Sequence, residues 1–192
     1  MGPLLFLKAA LPWAGFRVYR RGVTAQEQEY AEALASAIVD SLERLPVSGV
    51  LTRVVIRWFD SPDYLTIHAL GSDEASEMSD GDAWYPLEWP NEEREIGRVD
   101  GVMQDARLAS AVRDLVAEVG DDGWDWESQP EPLVTAAKEL RRAIEARAIP
   151  TESHFAVGVS HFEGPGPAES VPLANPREVV ALLAERNELP DE

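Results

Sequence analysis

The chain has no cysteine, which excludes disulfides and thiolate metal sites and suits a reducing compartment. Basic residues are also scarce: 17 Lys and Arg stand against 35 Asp and Glu, a net charge of −18 over 192 residues. A field of that sign repels a phosphate backbone and attracts cationic partners, so nucleic-acid binding is disfavoured. Long apolar runs are missing. The hydrophobic stretch Leu4 to Leu11 contains Lys8 and is halted by Pro12, and it lacks the basic start and full apolar region of a signal peptide. No segment approaches the roughly 20 apolar residues that span a bilayer. The expectation is a cytoplasmic protein without a membrane partner.

Catalytic signatures are equally sparse. No G-x-S-x-G, P-loop, G-x-G-x-x-G or H-E-x-x-H occurs, so acyl transfer, nucleotide hydrolysis, dinucleotide binding and zinc hydrolysis lack their usual positioning elements. His154 and His161 lie seven apart on one strand pattern and point to opposite faces, and His68 belongs to another strand. Convergent metal ligands are therefore not expected. The acidic loops around Asp73, Asp80 and Asp82 and around Asp121 to Glu127 lack the spacing of a calcium loop. The reading is no metal, no cofactor and no catalytic residue.

What the chain does contain is periodicity. Its 45% hydrophobic content over this length supports one domain with a real core. Thr24 and Glu27 have capping-box spacing, and Ala31, Leu34, Ile38, Leu42 and Leu45 follow as a helical stripe that ends at Pro46. Val50 to Phe59 alternates, with Val54, Ile56 and Trp58 on one face and Arg53, Val55, Arg57 and Phe59 on the other. The arginine face is expected to be solvated. Asp60-Ser61-Pro62-Asp63 is turn chemistry, and Tyr64 to Leu70 alternates again, which predicts an antiparallel hairpin.

The stretch Asp82 to Gly120 begins as an aromatic connection bounded by Pro86 and Pro90. It then becomes helical from Asn91, with a break near Asp105 because Gly97 and Gly101 weaken its first part. Leu133, Ala136, Ala137, Leu140 and Ile144 form the next stripe, started by Pro132. His154 to Phe162 reads as a strand, Gly164 to Pro167 as its break, and Asn175-Pro176 as the start of a last short helix with Asn175 as its cap. Strands and helices do not strictly alternate. The expected architecture is a single α+β domain over 1–192, a mostly antiparallel sheet packed by helices. Residues 1–23 form a basic arm or two short strands, and 188–192 a polar tail.

Trp84, Trp89, Trp124 and Trp126, four of six tryptophans, fall in predicted connections. Loop tryptophans can cap a core from its edge. Ringed by Glu88, Asp121, Asp122 and Asp125, they can also anchor a basic protein partner.

With Trp84, Glu88 and Trp89 as a W-x-x-x-E-W-like connection, then the strand His154 to Phe162 and the Asn175-Pro176 helix start, the chain resembles a bacterial family of unknown function over about residues 24 to 187. In style it is also similar to small acidic immunity proteins that neutralise bacterial toxins. The resemblance implies an α+β fold and carries over no catalytic residue. The favoured function is a non-enzymatic binding protein, an immunity-type inhibitor of a basic toxin or an antagonist of another cationic protein. The alternative is a small-molecule hydrolase or transferase that uses the carboxylates Glu88, Glu92 and Glu93 near the tryptophans.

Overall fold

A capping box starts the first helix, as its spacing predicts: the Thr24 hydroxyl accepts from the Glu27 N–H at 3.2 Å, and the Glu27 carboxylate accepts from the Thr24 N–H at 2.7 Å. Two of the four orphan donors of the helix end are thus satisfied. In the computed structural model, the described residues are 22–44, 47–59, 62–78, 82–85, 101–119, 131–161 and 166–190. The basic segment 1–21, the rest of the aromatic connection and the acidic loop after residue 119 lie outside them.

The elements run α1 (Ala25–Leu42), β1 (Leu51–Trp58), β2 (Leu65–Gly71), a one-turn α2 (Ser72–Ala75), α3 (Ala106–Val119), α4 (Glu131–Ala146), β3 (Thr151–His161), α5 (Pro167–Ala174) and α6 (Arg177–Glu185). The protein is α+β, and its described strands form one sheet in the order β2-β1-β3. β1 and β2 form the expected antiparallel hairpin, with Ile56 opposite Ile67, whereas β3 joins β1 in parallel, with Ile56 opposite Val159. The sheet is therefore mixed rather than mostly antiparallel. The long crossover through α3 and α4 brings the chain back in the direction of β1, which a hairpin cannot do.

One core layer gathers the apolar faces of the sheet and of the helices. Val54, Ile56, Trp58, Ile67, Val157 and Val159 of the sheet share a cluster with Leu34, Ile38, Leu115 and Leu140 of the helices, and Met103 packs against its margin. A break does occur at Asp105: a short 3-10 turn, Val102–Gln104, precedes it, and the Asp105 carboxylate then caps α3 by accepting from the Leu108 N–H at 2.8 Å. None of the described helices is long and apolar enough to cross a membrane.

The second face of the sheet departs from expectation. β1 is the central strand, and Trp84, α5 and α6 cover its other side, where Val55, Ala156, Val171, Val179 and Leu183 make a second cluster. Arg53 is consequently buried at 2% exposure, not solvated. α5 is a helix that the glycines and prolines of 164–167 and the internal Pro172 hid; Pro167 starts it, and the Glu169 carboxylate accepts from the Gly166 N–H at 2.8 Å.

Nor does Asn175 cap the last helix. Its amide lies against the outer edge of β3, accepting from the Val157 N–H at 2.9 Å and donating to the Val157 carbonyl at 2.8 Å and the Val171 carbonyl at 2.9 Å. Ser170 does the same for the N–H and carbonyl of Val159, and Arg141 donates to the Phe155 carbonyl. Side chains thus occupy backbone groups that an open edge would offer to another strand. Asn175→Ala leaves the buried Val157 donor and acceptor unpaired, and we expect a loss of about 2 kcal/mol. A urea midpoint unchanged from wild type would show that water replaces the amide at no cost.

Candidate functional site

The functional candidate is assembled where the second face of the sheet meets the end of α6. Asn187 adopts a left-handed conformation, φ 59°, and the Glu188 N–H reaches back to the Leu183 carbonyl at 2.8 Å, which closes the helix and folds the following residue over the sheet. The Glu188 carbonyl accepts from the Trp84 indole N–H at 2.7 Å. Glu188, read from the sequence as the first residue of a polar tail, is instead the hub of this region. Its carboxylate is bonded by Arg53 from β1 and by Arg186 from the turn after α6, with His154 Nε2 of β3 at 3.4 Å.

Arg53 is held independently of Glu188. One Nη donates to the Thr52 carbonyl at 2.8 Å and the His154 carbonyl at 3.1 Å, and the guanidinium lies 5.0 Å from the Trp84 ring centroid, a cation–π distance. Its Nε has no partner among the described residues. Burial lowers the affinity of Arg53 for its proton, opposed by the Glu188 charge, yet a guanidinium stays protonated in any accessible pH range. Beside the cluster lies a cavity of about 200 Å³, lined by Arg53, His154, Arg186, Glu188 and Glu152 and by Ser72, Ser76 and Met78 after β2.

Burial pushes His154 below its ordinary value of 6.5; Glu188 pulls it up, Arg53 and Arg186 push it down, and Glu152 opposes them. The 3.4 Å contact therefore joins a neutral imidazole to a carboxylate near neutral pH. For Glu188 burial acts upward, but the Arg186 hydrogen bond and the charges of Arg53 and His154 outweigh it and hold the carboxyl below its ordinary 4.5. Both folded values lie below the unfolded ones, so both contributions stabilise the fold at neutral pH and are lost on acidification, His154 from about pH 6.5 downward and Glu188 only further down. His154→Gln should flatten the dependence of the urea midpoint on pH between about 7 and about 5. An unchanged slope would assign that titration to another group.

Of the residues singled out in the sequence, Trp84 is described and is fully buried, packed against Gly158: a Cβ built there would lie 2.9 Å from the Trp84 ring. It fills the core-capping role rather than facing a partner. Glu88, Trp89, Asp121, Asp122, Trp124, Asp125 and Trp126, with the alternative carboxylates Glu92 and Glu93, lie outside the described residues. Sequence reasoning missed Arg53, His154, Arg186 and Glu188. For Arg53 the spacing carried no signal, because its face of β1 is buried only by Trp84, α5 and α6, which are distant in the chain.

Comparison with protein-family models, with curated proteins and with solved structures gave no match.

Proposed function

We propose that the protein is a non-enzymatic binding protein for a basic protein partner, with an immunity-type inhibitor of a basic toxin as its finer form. The supporting observation is how the scarce cations are used against a net charge of −18. Arg107 of α3 turns onto Glu29 and Glu32 of α1, Arg147 after α4 onto Asp40 and Glu43, and Arg142 onto Glu139. Those guanidiniums are neutralised within the helical layer. Asp114, Glu118, Glu178 and Glu185 stay exposed, and the surplus acid sets the sign of the outer field. Such a field steers a cationic partner, and desolvated aromatics then hold it.

The proposed contact set is Trp89, Trp124 and Trp126 with Glu88, Asp121, Asp122 and Asp125; Trp84, which the sequence also offered, is buried in the core. Affinity purification from the native cell at low salt supplies the partner for kinetic measurement. Neutralising Asp121, Asp122 and Asp125 to Asn should slow association and flatten its salt dependence, whereas Trp89→Ala or Trp124→Ala should speed dissociation. Full affinity in a folded variant carrying all these changes would move the interface elsewhere, with the basic arm of Arg17, Arg20 and Arg21 the next surface to test.

A further inference from the structure

Two guanidiniums and an imidazole converge on one carboxylate beside an open cavity, and that carboxylate belongs to the chain itself. We propose that the cavity between β1, β3 and the turn after β2 is a binding site for a small carboxylate ligand, in which Arg53 and Arg186 clasp the ligand and the Glu188 side chain fills its place when none is bound. The proposal is separate from the acidic contact surface and does not rest on it.

Three observations carry it. Arg53 is positioned by the Thr52 and His154 carbonyls and by the Trp84 ring, with its side chain only 3% exposed, so the recognising fork remains in place when Glu188 leaves. Preorganisation of that kind lowers the ordering cost of binding. Arg186, by contrast, is 53% exposed, and the Glu188 side chain is itself 15% exposed, so the carboxylate already touches solvent and can turn toward it.

The remaining observation is charge and size together. With Glu188 turned out, the two guanidiniums face one carboxylate, Glu152, among the described lining residues, and their surplus positive charge matches a monoanion rather than a phosphate dianion. At about 200 Å³ the space falls below the roughly 300–1,000 Å³ of drug-sized pockets, so the ligand is a metabolite-sized acid. Planar bidentate pairing is what a guanidinium offers a carboxylate.

The test removes the internal occupant. Glu188→Ala should melt several degrees below wild type, and sodium acetate at neutral pH should restore most of that loss saturably, because a ligand bound only by the folded state raises stability by mass action. Sodium chloride at matched ionic strength should restore little, and adding Arg186→Ala should remove at least half of the acetate effect. Equal recovery in chloride, or stronger recovery in inorganic phosphate than in acetate, would overturn the assignment. A second measurement needs no variant: in the wild-type protein, the His154 ring resonance should shift saturably as propionate is titrated to tens of millimolar. If Glu188→Ala does not fold, this titration decides alone, and an unmoved resonance refutes exchange of Glu188 for a ligand.

Discussion

Trp84→Ala is expected to cost about 3–5 kcal/mol, a large part of the stability of a domain this size. The indole is fully buried among Val55, Ala156, Val171, Val179 and Leu183, so its removal empties the centre of the second core layer. It also deletes the 2.7 Å hydrogen bond to the Glu188 carbonyl and uncovers the Arg53 guanidinium. Trp84→Phe retains most of the buried area but loses the N–H donor, so it should cost less, about 1–3 kcal/mol for the unpaired carbonyl and the missing ring. Gly158 provides an internal control. In the wild-type background Gly158→Ala forces the ring to move, since a Cβ there meets it at 2.9 Å. In the Trp84→Ala background the same methyl loses that clash and keeps an ordinary 3.5 Å contact with Val171 Cγ2. Gly158→Ala should therefore destabilise the first protein and leave unchanged or stabilise the second, as read from urea midpoints. The same destabilisation in both backgrounds would show that the constraint at Gly158 is not the indole.

Glu188→Ala comes next, at about 3 kcal/mol. Removing one member of a buried ion pair typically costs about 3–5 kcal/mol because the other charge is stranded. The lower end applies, since the Glu188 side chain is 15% exposed and water can reach part of the vacated volume. The stranded group is Arg53, whose only acidic partner among the described side chains is Glu188. Replacing both members, Arg53→Met with Glu188→Leu, should recover much of the loss, because burying two apolar groups avoids the desolvation of two charges. Met also has the reach to lie against the Trp84 ring. Wild type, Arg53→Met, Glu188→Leu and the double variant form a double-mutant cycle with an expected coupling of at least 1 kcal/mol. Strict additivity of the two single losses would show that the pair is not energetically coupled.

The second core layer explains why these two substitutions outrank changes on the outer helices. Surface pairs such as Arg107 with Glu29 join side chains that are each about half exposed, where an ion pair is worth about 0–1 kcal/mol. The tie between Glu188, Arg53 and Trp84 instead fixes the end of α6 to the sheet.

Periodicity, capping chemistry and composition by themselves determined α1 with its capping box, the β1–β2 hairpin, the Asp105 break, the α4 stripe and the apolar face shared by Val54, Ile56, Trp58, Val157 and Val159. These are local properties, since a side chain's side of its own helix or strand follows from spacing alone. Only the tertiary structure decided that β1 is central, that β3 pairs with it in parallel, that Arg53 is therefore buried, and that Asn175 serves the edge of β3 instead of capping a helix. It also decided that Glu188 closes over Arg53, 135 positions away in the chain. Spacing cannot report these facts, because burial of the second face of a strand and the partner of a charge depend on which distant segments fold against it.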